Sequence, residues 1–192
     1  MSYSVKASVC VYCGSSDGAD PAYRNAATEL GHSLASNGFQ LVYGGSSVGL
    51  MGSLADAALQ AGGRVIGVRP NWLFKDEPPH TGLTELHEAS SMHERKRLMV
   101  ELSDAFVVLP GGLGTFDELL EIVCWAQLGL HHKPILAVDV DGFWTPLFEL
   151  ILRGERSGFI TSREVGLLGR VDTPAEAVAL LTGVFRKQVG PL

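Results

Sequence analysis

Three glycine-rich turns in this 192-residue sequence could bring backbone N–H groups up to an anion: Cys13-Gly14-Ser15-Ser16, Gly44 to Gly52 (GGSSVGLMG), and Pro110-Gly111-Gly112-Leu113-Gly114-Thr115. Glycine allows close approach, and a helix start adds a favourable dipole, so such turns suit phosphate. The third turn runs into Glu118. Thr115-x-x-Glu118 fits a capping box, which would give both residues the sole task of starting a helix. The other reading makes Glu118 a carboxylate at the edge of a phosphate site. A second charged cluster lies at 91–102, SMHERKRLMVEL. Ser91-x-x-Glu94 is again a capping box, and Met92, Met99 and Leu102 form an apolar stripe with Arg95 and Lys96 on or beside it. A cation on an apolar face calls for an anionic partner, and arginine suits bidentate contact with phosphate or carboxylate.

Several other chemistries fit poorly. The second turn lacks the Gly-Lys-Ser/Thr of a P-loop. Its glycine spacing also departs from the dinucleotide fingerprint, and the next strand, RVIGV, leads to Arg69 where an acid would hold a ribose. Cys10 and Cys13 spell C-x-x-C, but within an apolar strand that spacing points them to opposite faces, and no second pair completes a zinc site. His131-His132 has no companion ligands in an obvious pattern and reads as surface, so no metal is expected.

The elements that must position these residues follow from pattern. Apolar, β-branched runs (VKASVCVYC, FQLVYG, RVIGVRP, AFVVLPG, PILAVDVDG) alternate with helical stretches opening at Asp20, near Val48, at Ser91 and at Thr115, then after Gly142 and at Thr173. Asp20-Pro21 and Thr173-Pro174-Ala175-Glu176 carry explicit helix-start chemistry. Continuous apolar strands indicate parallel pairing buried on both faces. The pattern predicts an α/β fold: a doubly wound parallel sheet in three α/β/α layers, forming one domain. Ligand would then sit at the carboxyl ends of the strands, where all three glycine turns fall. Residues 69–90, with three prolines and no sustained periodicity, read as a binding loop or a disordered connector. The helix TFDELLEIVCWAQLGL has no purely polar face, so one side should meet the sheet and the other a second subunit.

Composition narrows the partners. Hydrophobic residues at 46% and charged residues at 19% describe a globular chain, and a net charge of −6 argues against nucleic-acid binding. No apolar run reaches the ~18 residues of a membrane span. Three cysteines and no secretion signal point to a reducing cytoplasm.

PGGLGTFDE and SMHERKRLM, with CVYCGSS and the turn at 44–52, resemble the Lonely Guy family of cytokinin-activating phosphoribohydrolases, also described as possible lysine decarboxylases. The similarity runs from about Val5 to Phe148. It implies a Rossmann-like nucleotide-binding fold and a usually dimeric protein that hydrolyses the N-glycosidic bond of cytokinin nucleoside 5′-monophosphates, and AMP in many bacterial members, without a cofactor. By position, the resemblance makes Arg95 and Glu118 catalytic. Gly111, Gly112, Gly114 and Thr115 would hold phosphate and ribose, Lys96 would assist, and Glu77 would contact substrate. Gly14, Ser15, Gly44 and Gly45 complete the expected binding residues. The sequence departs from the family pattern at two places: Ser46 replaces a third glycine, and Phe116-Asp117 replaces Leu-Glu. The decarboxylase description implies pyridoxal phosphate on a lysine, and of Lys6, Lys75, Lys96, Lys133 and Lys187 only Lys96 falls near the expected site. A non-catalytic carrier or sensor for a nucleotide or pterin-type cofactor is the competing reading.

Overall fold

The computed structural model describes residues 5–72 and 78–188. Its first half contains β1 (Ala7–Tyr12), α1 (Pro21–Ser36), β2 (Phe39–Tyr43), α2 (Gly49–Gln60), β3 (Val65–Pro70), β4 (Glu85–Ala89) and α3 (Met92–Glu101). The second half contains β5 (Ala105–Val108), α4 (Leu113–Gln127), β6 (Ile135–Val138), α5 (Thr145–Arg156), α6 (Ser162–Val165), β7 (Gly169–Val171) and α7 (Pro174–Gln188). The strands form one sheet in the order β4-β3-β2-β1-β5-β6-β7, with every pairing parallel. Strands β2 to β4 extend one way from β1, and β5 to β7 extend the other. The winding therefore reverses between β1 and β5, and a crevice opens there at the strand ends.

Alternate strand residues feed two cores, one on each face. Val9, Val11, Leu41, Tyr43 and Val107 pack with Leu30 and Leu34 of α1, Leu54 of α2 and Leu181 of α7. Cys10, Tyr12, Val42, Phe106 and Val108 pack with Met99 of α3 and Leu119 and Ile122 of α4. Cys10 and Cys13 fall into opposite cores as free, buried thiols, as their spacing requires. Asp20 caps α1 by accepting from the Ala22 amide at 2.9 Å, with Pro21 at the first helical position.

Several expectations need correction. β4 (ELHEA) lies inside the stretch read as a loop; it is an edge strand of which only Ala89 is buried, so it needs no apolar run. β7 and α6 are too short to leave a periodic signal. His131 is buried, not superficial, and its Nε2 lies 2.9 Å from the Ile122 carbonyl. The predicted start of α4 at Thr115 is also displaced. The helix begins at Leu113 with Gly112 as its N-cap, so Thr115 is inside the first turn and forms no capping box with Glu118. At α3 the box is shifted: Ser91 accepts from the Glu94 amide, while the Glu94 carboxylate reaches back to the Ser90 amide at 2.7 Å.

Candidate active site

The ends of β3, β2, β1 and β5 open onto one cleft of about 270 Å³. Strands in a sheet lie ~4.8 Å apart, so the cleft spans ~14 Å from β3 to β5. One end is the start of α4. Because Gly112 supplies no side-chain cap, the first amides of this helix have no side-chain acceptor and point their donors and dipole toward the cleft. Gly111 is required just before it, because a Cβ there would collide with the Thr115 hydroxyl and stand 2.9 Å from the Gly14 amide nitrogen. The other end of the cleft is formed by Arg69 and Pro70 of β3, with Met92 and Met99 of α3 along one wall.

Arg95 and Glu118 meet across the cleft wall. Residues 92–101 form a helix whose Met99 anchors in the core, and this turns Arg95 inward on the preceding turn. Its Nη1 donates to Glu118 Oε1 at 2.5 Å, and its Nε donates to the Val68 carbonyl at 3.0 Å. The guanidinium also lies against Gly44, where any Cβ would strike its Nη2. Both residues line the cleft and both are over nine-tenths buried. Burial pushes the Glu118 carboxyl above its ordinary value; the charge and hydrogen bond of Arg95 pull against this, Asp117 adds to it, and Lys96 opposes it. Burial, reinforced by the charge of Glu118, raises the Cys10 and Cys13 thiols well above the usual range, which keeps them protonated and unreactive.

Most of the expected site residues gather here. Gly14, Ser15, Gly44, Gly112, Gly114 and Thr115 line the same cleft as Arg95 and Glu118. Gly111 instead lines a smaller neighbouring cavity that shares Gly112, and Gly45 lies behind the cleft wall against Arg69 and Leu86. Glu77 falls outside the described residues. The loop beyond it is tied to the second glycine turn: the Ser47 amide donates to the Pro78 carbonyl at 3.0 Å, and the His80 amide donates to the Gly45 carbonyl at 3.0 Å. Lys96 does not line the cleft. Its ammonium sits between Asp117 and Glu121, 3.0 Å from each.

Sequence reasoning did not select Arg69, Tyr12, Ser46, Met51 or Asp117 as site residues, yet all five line the cleft. Arg69 was within reach of the rule that found the glycine turns, since it ends a parallel strand at the ligand-bearing edge. Among the described residues, no three His, Cys, Asp or Glu side chains gather in a form that could hold a metal. A pyridoxal Schiff base does not fit either, because no described lysine lines the cleft. Burial disfavours the Lys96 ammonium, but its bonds to Glu121 and Asp117 outweigh that and raise its pKa, the opposite of what a nucleophilic amine needs.

A parallel sheet whose winding reverses at a glycine-lined cleft defines a Rossmann-like α/β protein with its ligand site at the switch point. The solved molybdenum cofactor carrier protein of Chlamydomonas reinhardtii shares this architecture, with a TM-score of 0.70 and 23% identity across 94% of this chain and 98% of that one. Residues 51–181 match the family described as "Possible lysine decarboxylase". Cytokinin riboside 5′-monophosphate phosphoribohydrolase LOG of Oryza sativa subsp. japonica is 44% identical over 173 residues, 90% of this chain and 72% of the rice protein. The corresponding enzyme LOG3 of Arabidopsis thaliana is 45% identical over 159 residues, 82% of this chain and 74% of its own. The chain belongs to this family, the Lonely Guy phosphoribohydrolases.

Proposed function

We propose that this protein is a single-domain phosphoribohydrolase that cleaves the N-glycosidic bond of cytokinin riboside 5′-monophosphates, and of AMP, to free base and ribose 5-phosphate. The observation that carries this reading is the buried Arg95–Glu118 pair beside the uncapped start of α4. The 5′-phosphate sits on the amides of residues 113–115, and the nucleotide extends along the strand ends toward β3. Rupture of the C–N bond leaves positive charge on the sugar, and the Glu118 carboxylate stabilises it. Water adds its oxygen to the anomeric carbon, and Glu118 takes the released proton and returns it to the departing base. Its raised pKa suits both halves of that transfer. Arg95 orients the carboxylate and favours its ionised form against the effect of burial.

We further infer a cytoplasmic homodimer. No described helix is long and apolar enough to cross a membrane. Leu113 and Leu120 of α4, Leu128 just after it, and Leu150 and Leu152 of α5 leave apolar surface that a second copy would cover.

The test is incubation of the purified protein with AMP or N6-isopentenyl-AMP, following base and ribose 5-phosphate by chromatography, with Glu118→Gln alongside. Release by the wild type and not by the variant supports the hydrolase. Tight nucleotide binding without release from either compound would favour a carrier.

A further inference from the structure

The seam between α3 and α4 carries two cross-links, and only the first has all its partners on the cleft; of the second, Asp117 lines the cleft while Lys96 and Glu121 do not. The first is Arg95–Glu118. In the second, Lys96 reaches from the next position of α3 to Asp117 and Glu121, which lie one turn apart on α4 and flank Glu118. The Lys96 side chain is 8% exposed, so its ammonium is committed to these two carboxylates and shielded from solvent. Arg95 holds Glu118 through Oε1, so a substrate that draws on Glu118 competes with the guanidinium for one carboxylate and weakens the inner cross-link between the two helices. The outer one still holds them. We propose that Lys96 is a positioning residue, a clamp bridging Asp117 and Glu121 that holds α3 and α4 in register while substrate competes with Arg95 for Glu118. This replaces the expected contact of Lys96 with the substrate phosphate, and it rests on the hydrolase reading above.

The groups around Glu118 fix the sign of a second effect. It faces Arg95 and Lys96 from α3, Asp117 on its own helix, Cys10 and Tyr12 from β1, Cys13 just beyond, and Arg69 across the cleft. Lys96 is one of two cations that lower the Glu118 pKa. Removing it therefore moves the acidic limb of the pH–rate profile to higher pH.

The experiment compares Lys96→Met, Lys96→Arg and the double variant Asp117→Asn/Glu121→Gln, with folding of each checked by circular dichroism. Misplacement of catalytic groups by a distant change costs up to about 100-fold in rate. Lys96→Met and the double variant should each lower kcat for AMP by about 10- to 100-fold with little change in KM. Lys96→Arg should recover most of the loss, because it can still reach both carboxylates. The pH limb should move up in Lys96→Met. The double variant removes Asp117, which raises the Glu118 pKa, so it should not reproduce that upward shift. A lower melting temperature with kcat and pH profile intact would reduce Lys96 to an ordinary structural ion pair and overturn the proposal. So would loss of the preference for AMP over adenosine in Lys96→Met, the signature of a phosphate ligand. An activity-independent readout covers the case in which the wild type releases no base. A carbon-13 NMR titration of Glu118, assigned through Glu118→Gln, should show its midpoint raised by Lys96→Met. An unmoved midpoint would sink the clamp separately from the hydrolase.

Discussion

Two helices of similar length treat polarity in opposite ways. α3, MHERKRLMVE, is rich in charge, yet Arg95 and Lys96 are among its buried residues. α5, TPLFELILRGER, has a well-formed apolar face in Leu147, Phe148 and Ile151, yet none of its residues is fully buried, and Leu150 is 63% exposed. Burial here follows partners rather than hydropathy. Arg95 and Lys96 each find carboxylates of α4 at hydrogen-bond distance, which offsets the cost of leaving water. The apolar face of α5 finds only a shallow seat on the chain itself. The contrast separates a surface that is complete within one protomer from one that is not.

The largest effects should come from breaking α3's partnership. Glu118→Gln keeps the shape but removes the proton acceptor, and base release should fall by about 10²–10⁴-fold in a chromatographic assay. Arg95→Met does something different. It strands a buried carboxylate without its counter-charge, which costs about 3–5 kcal/mol of stability. Urea unfolding should show that loss clearly, larger than in Glu118→Gln, where a neutral amide can still accept from the guanidinium. Equal stability in Arg95→Met and the wild type would mean that the pair is not what keeps α3's charges buried.

How far the sequence revealed this follows the same division. Glycine turns and strand ends are local features, so Gly14, Gly44, Gly112 and Gly114 were legible, as was the doubly wound sheet. Arg95 could be found because it shares a helical stripe with Met92 and Met99. The partners of Lys96 could not be found locally, since Asp117 and Glu121 lie over twenty positions away and meet it only through helix packing. The start of α4 was misplaced because a threonine three residues before a glutamate looks the same whether it caps a helix or lies inside one. Edge strand β4 was invisible because Ala89 is its only buried residue, so no apolar pattern marks it.

A middle-sized effect is expected at α5. If its exposed Leu150 and Leu152, together with the apolar surface of α4, meet a second copy, Leu150→Glu with Leu152→Glu should shift the protein from dimer to monomer in light scattering. Exposed substitutions of this kind usually alter monomer stability by no more than ~0.5 kcal/mol each. The unfolding transition of the monomer should therefore remain cooperative. A wild type that is monomeric at every concentration would remove the reason offered for α5's exposure and leave α3 as the only half of the comparison still explained.

The smallest effect is a slope, and it asks which force dominates at α3's partner. Burial raises the Glu118 pKa in the folded state above the ordinary value of 4.5, against the pull of Arg95. Below that value the carboxyl is protonated whether folded or unfolded and contributes nothing to the pH dependence. As pH rises through the folded-state pKa, the native protein must ionise a group that the unfolded chain has already ionised. Wild-type stability should therefore decline across that window. Glu118→Gln cannot titrate, so its melting temperature should gain on the wild type from mildly acidic conditions toward neutrality, whatever constant offset the substitution brings. Differential scanning fluorimetry of both proteins over that range reads the slope directly. The opposite slope would mean that Arg95 outweighs desolvation. The carboxylate would then be held charged at every working pH, and the proton transfer assigned to Glu118 would have to pass through water alone.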